Sequence, residues 1–168
     1  MKKFISSFLI FCTLMITQPC FHDDVSARPT EENPTIRSTF QTYDQNSIPR
    51  LLKSEQISAN QIKITYDRDV DKNLAEQPTN YWIKDLKNEE PEGIATVGQN
   101  CEVDKNNSLT RDIVKIESKN GLGSVYILTF KNNIPKGEQY KLVIYHVTVE
   151  GAQPYNGDNG ASMFAGKY

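Results

Sequence analysis

The sequence predicts an all-β fold, an antiparallel β-sandwich of about seven strands. Three observations carry this. Short runs alternate apolar and polar residues with a period of two. Gly and Asn pairs break the chain between those runs. No stretch of ten or more residues carries an apolar stripe at helical spacing.

The strands follow in order. Leu51 and Leu52 lie in a short extended piece. Residues 60–66 alternate cleanly, with Ile62, Ile64 and Tyr66 on one face and Gln61, Lys63 and Thr65 on the other. In residues 80–84, Tyr81 and Ile83 share a face and Trp82 takes the opposite one. Residues 94–97 predict a short, weaker strand. Residues 112–118 carry Val114 and Ile116 on one face. Residues 124–130 are apolar on both faces, as suits a central strand. Residues 140–149 form the longest run. Tyr140, Leu142 and Ile144 share a face, and after Tyr145-His146 the apolar phase moves to Val147 and Val149. A slip of one residue implies a bulge or bend there. A last strand is predicted at 162–165. The breaks are Lys119-Asn120-Gly121, Asn132-Asn133, Lys136-Gly137, Asn156-Gly157 and Asn159-Gly160.

Ahead of this pattern lies a different kind of segment. Lys2 and Lys3 precede an apolar run at residues 4–16. That run is too short for a membrane-spanning helix, which takes about 20 residues. It suits a secretory signal peptide, with cleavage expected after Ala27 in Val25-Ser26-Ala27. Cys20 follows Pro19, with Thr17 two positions further back, and this is a poor context for lipidation. The domain plan is therefore a signal peptide at 1–27, a flexible polar lead-in at 28–48 and the sandwich at 49–168. The expected location is secreted or cell-surface associated, with no transmembrane span in the mature form.

Composition excludes several function classes. The 168 residues carry 19 basic and 21 acidic side chains, a net charge of -2. That balance leaves no electrostatic footprint for nucleic acid. Cys101 is the only cysteine after the predicted cleavage point, so no internal disulfide can form. The same lone Cys and the lone mature His, His146, cannot supply a zinc site of usual type. Nothing local supports a Cys101–His146 nucleophilic pair. There is no phosphate-binding glycine loop and no Ser nucleophile motif. Asp67, Asp69 and Asp71 stand at alternate positions after a strand. They fit either calcium or, as we read them, a solvated acidic turn. Residues 156–160 are oxygen-rich but read as turn chemistry. No catalytic residue, metal or cofactor is predicted.

The order of motifs resembles the bacterial Ig-like domains of surface-layer and other cell-envelope proteins, the SbsA-type family. The alternating strand ends in an aromatic and an acidic turn, Ile64-Thr65-Tyr66-Asp67-Arg68-Asp69. An Asn-Tyr strand start follows at Asn80-Tyr81-Trp82-Ile83. Later come Pro135-Lys136-Gly137 leading into Tyr140, then Val147, Asn156-Gly157 and Met163-Phe164-Ala165-Gly166. The resemblance covers about 49–168 and implies an immunoglobulin-like sandwich. It also places Tyr140 at a tyrosine corner, its hydroxyl bonding backbone near residues 135–137. Residues 89–111 depart from the pattern as a long polar stretch.

Trp82 is the one candidate ligand-binding residue. Alternation puts it on the outer face of its sheet, where an exposed indole would contact a glycan or protein. The other reading is that the lead-in or the long polar stretch covers it. The functional expectation is an exported, non-catalytic module for protein or glycan interaction at the cell envelope. The alternatives are an assembly subunit pairing through sheet edges and a small secreted enzyme.

Overall fold

A computed structural model describes residues 48–168. The segment expected to be a signal peptide, Cys20 and nearly all of the expected lead-in lie outside the described residues.

Seven strands form two antiparallel sheets. β1 (Leu51–Ser58), β2 (Gln61–Tyr66), β4 (Val114–Ser118) and β5 (Val125–Phe130) make one sheet, in the order β1-β2-β5-β4. β3 (Tyr81–Asp85), β6 (Gln139–Tyr145) and β7 (Asp158–Ala165) make the other, in the order β3-β6-β7. This is the strand order of a seven-stranded immunoglobulin constant-type sandwich. The expected fold class is borne out.

The period of two explains the core. Ile62, Ile64 and Tyr66 of β2 face Tyr81 and Ile83 of β3 and Tyr140, Leu142 and Ile144 of β6 across the sandwich. Tyr126, Leu128 and Phe130 complete the inner face from β5, which lies between β2 and β4. Each such side chain stabilises by about 1.5–3 kcal/mol when fully buried.

The β2–β3 connection crosses between sheets. It contains a one-turn helix, α1 (Lys72–Ala75), and a 3-10 turn at Pro78–Asn80. Asp71 caps α1 by accepting from Leu74 N–H at 3.1 Å. The Tyr81 hydroxyl donates to Ala75 O at 2.6 Å, and the Tyr66 and Tyr81 hydroxyls lie 2.9 Å apart. With the Tyr81 proton spent on Ala75, Tyr66 is the donor to Tyr81. One chain of hydrogen bonds thus joins both sheets to the crossover.

Four expectations change. Residues 94–97 form no strand; only Val97 bridges Lys84, in parallel. β1 is a full strand with two register shifts against β2. β7 starts at Asp158, because the Asn159 amide serves as a partner for backbone. Asn159 Nδ2 donates to Val147 O and Pro49 O at 2.7 and 2.9 Å, and Oδ1 accepts from Val147 N–H at 2.9 Å. Tyr140 starts its strand as a tyrosine corner would, but its hydroxyl donates to Glu92 O at 3.4 Å, not to residues 135–137. The physical reason is the long 86–113 connection, which brings Glu92 and Gly93 over the end of the sandwich. Burial pushes the Tyr140 phenol up to about 12.

Candidate functional site

The 86–113 connection builds a second apolar cluster on the outer face of the three-stranded sheet. Asp85 starts it. Its carboxylate is fully buried and accepts from Lys87 N–H and Asn88 N–H, both at 2.9 Å, from the Asn88 amide at 3.1 Å and from Glu92 N–H at 3.3 Å. Burial acts to raise its pKa. The N–H groups of Lys87, Asn88 and Glu92 and the Asn88 amide outweigh that and hold it below the usual carboxylate range.

The connection then runs along β3 and satisfies its free edge. Val97 N–H donates to Ile83 O, Asp85 N–H donates to Val97 O, and Leu109 N–H donates to Tyr81 O. An edge of this kind would otherwise invite pairing with another chain.

Between these anchor points the connection lies over Trp82. Alternation does place the indole on the outer face, and of the two readings of that position the structure has the covered one. Trp82 is 4% exposed. It packs with Val97 and Val143, and Val103 and Tyr145 flank it. Its Nε1–H donates to Asp104 O at 2.8 Å, and its ring meets Tyr145 edge-on with centroids 5.5 Å apart. A long polar stretch hid this role, because its apolar anchors, Val97, Val103 and Leu109, are six residues apart and show no strand period.

At one end of the cluster the surface opens into a cleft of about 460 Å³, bounded by Trp82, Val103, Asn80, Tyr145, His146 and Asn156. Four separate segments meet there. The end of β6 shapes it most. The register against β7 shifts between Ile144 and Tyr145, and His146 takes a left-handed conformation with φ of 66°. The phase slip in the sequence marked this bulge. Neighbours in a regular strand face opposite sides, yet here both Tyr145 and His146 line one cleft. The backbone holds the arrangement through His146 N–H to Gly157 O at 3.1 Å, and Nδ1 lies 3.3 Å from Tyr155 O. Burial raises the Tyr145 phenol pKa, with Asp158 and Tyr155 adding to it.

The other sequence candidates do not gather at the cleft. Cys101 is exposed and free on the 86–113 connection, where its carbonyl accepts from Lys84 Nζ at 2.8 Å. It does not line the cleft beside His146. The three aspartates have separate tasks. Asp67 accepts from Arg50 N–H and pairs with Arg68, whose guanidinium holds it below the usual range. Asp71 caps α1, and Asp69 packs against Gly123. Among the described residues no three His, Cys, Asp or Glu side chains are grouped to hold a metal ion. No described helix is long and apolar enough to cross a membrane. Neither Tyr145 nor Asn156 is singled out as a site residue by sequence: the bulge signal pointed at the first, and the second lies in the oxygen-rich 156–160 stretch that reads as turn chemistry.

No protein-family model and no curated protein matches this sequence. Solved structures do. The chain is similar to surface layer protein SbsC, domains 1-6, with a TM-score of 0.51 and 17% identity over 71% of this chain and 14% of that one. The chain shares its fold with a surface-layer protein. The S-layer protein rSbsC(31-844) gives a TM-score of 0.50 at 17% identity, with the same coverage of 71% and 14%. At that identity the likeness is one of fold. The chain spans only about a seventh of the length of these S-layer structures, 14% in each.

Proposed function

We propose that this chain is an exported, non-catalytic Ig-like module of the bacterial cell envelope, of the SbsA type, that holds a protein or glycan partner. The observation that carries the reading is the fold it shares with S-layer domains. The apolar start with Lys2 and Lys3 supports export. The non-catalytic part is supported by the work its acidic groups already do: Asp67, Asp71 and Asp85 are each engaged in holding backbone. Assembly by strand addition has less support. The connection occupies the β3 edge, and Glu76 Oε1 accepts from Ser118 N–H at the β4 edge.

The test is fractionation of producing cells with intact-mass analysis, followed by cosedimentation with isolated envelopes. A mature species starting at Arg28 that sediments with envelopes is the expected result. A cytoplasmic chain retaining Met1, or a mature chain that ignores envelopes, overturns the reading.

A further inference from the structure

We propose that the cleft beside Trp82 is a saccharide site that takes one or two pyranose units. This rests on the reading above that the module meets an envelope glycan. Three features of the cleft lead to it.

The first is size. A volume of about 460 Å³ falls within the range of small-ligand pockets. It admits one or two sugar rings and is too small to seat a helix of a protein partner, which is about 10–12 Å across.

The second is chemistry. Tyr145 and Val103 offer apolar surface for the C–H face of a sugar, above the Trp82 edge. Around them stand polar groups with capacity to spare. Asn80 is 7% exposed and spends its Nδ2 on Leu74 O at 2.9 Å, leaving Oδ1 without a partner among the described residues. Among the described residues the Tyr145 hydroxyl and the Asn156 amide have no hydrogen-bond partner, and His146 uses only Nδ1. These are neutral donors and acceptors around an aromatic wall. A phosphate or carboxylate would need clustered cations, and the one Lys at the cleft, Lys105, stands beside Asp104. Hydroxyl-rich neutral ligands match this set.

The third is strain. A left-handed non-glycine residue carries a conformational cost, and glycine would remove it. His146 keeps a side chain there, and the bulge turns that side chain onto the same wall as Tyr145. The fold draws on His146 through its backbone N–H to Gly157 O and through Nδ1, 3.3 Å from Tyr155 O, which leaves Nε2 without a fold contact among the described residues. The retained ring is what a ligand would use.

The experiment uses the mature chain and its single tryptophan. Methyl glycosides of glucose, galactose and N-acetylglucosamine, with maltose, cellobiose and chitobiose, are titrated while Trp82 emission and backbone amide NMR shifts are followed. The expected result is saturation with at least one of them at a millimolar or tighter Kd. The shifted amides should belong to residues 79–82, 103–108, 145–146 and 156, and the sugar should be recovered unaltered. His146→Gly and Asn156→Ala should each weaken binding at least tenfold without lowering the urea midpoint. A merely structural His146 would leave binding unchanged in His146→Gly. Failure of every sugar to saturate, shifts elsewhere on the domain, or full binding by both variants overturns the site. A protein that sediments with envelopes yet fails these titrations loses the saccharide site and keeps the envelope reading. A cleaved sugar overturns the non-catalytic reading instead.

Discussion

Asp85→Asn tests how the outer-face cluster is held. The wild-type carboxylate accepts two hydrogen bonds at Oδ1 and two at Oδ2, from 2.9 to 3.3 Å. The amide has nearly the same shape, but its NH₂ replaces one acceptor and faces donors. Hydrogen bonds to a charged group contribute about 1.5–3 kcal/mol each. They are not additive here, since Lys87 and Glu92 are exposed and their N–H groups can turn to water. A net loss of about 3 kcal/mol is expected, a large part of a domain stability of about 5–15 kcal/mol. Urea unfolding followed by Trp82 emission reads this directly, because Trp82 is the only tryptophan and sits under the same connection. With a slope of about 1–3 kcal/mol/M the midpoint should fall by at least about 1 M. The folded pKa of Asp85 is depressed. Its contribution is therefore present above the unfolded pKa of about 3.9 and is lost as pH falls through the lower folded value. Wild type should lose stability on that acid arm, and Asp85→Asn should flatten it. A midpoint change worth under about 1 kcal/mol, or an unchanged acid arm, would refute the reasoning.

Three further outcomes are expected. Asn159→Ala leaves Val147 N–H, Val147 O and Pro49 O without their buried partner and should cost about 3–5 kcal/mol, measured by the same urea unfolding. Gly93→Ala should cost about 2–4 kcal/mol by thermal unfolding, since Gly93 has φ of 66° and a Cβ would meet Pro135 Cγ and the Tyr140 hydroxyl at 2.6 Å. Burial raises the phenol pKa of Tyr66 and Tyr81, and takes Tyr126 and Tyr140 to about 12. Their stabilisation is complete below the unfolded value of about 10 and is lost as pH rises through the folded values. Tyrosinate absorbance should then rise together with unfolding, and titration of all the tyrosines near 10 in a folded protein would contradict it.

The sequence by itself determined the sandwich. A period of two is local, so Ile62, Ile64 and Tyr66, or Tyr140, Leu142 and Ile144, declare their inward face without knowing what lies opposite. The slip after Tyr145-His146 likewise declared the bulge. Trp82 was legible as an outer-face residue for the same reason. Whether anything covers it was not, because that depends on where residues 86–113 travel. Their course starts from local bonds, the donors gathered by the buried Asp85 carboxylate, but is then set by contacts farther apart in sequence, Val97 against Ile83 and Leu109 against Tyr81. The same holds for Tyr140, whose hydroxyl meets Glu92 across 48 residues. The cleft is of this kind too. Its wall joins β3, the connection, the β6 bulge and the turn before β7, and no pattern in any one of them announces the others. Side-chain direction is a local property of the strand, while cover and concavity belong to the tertiary structure.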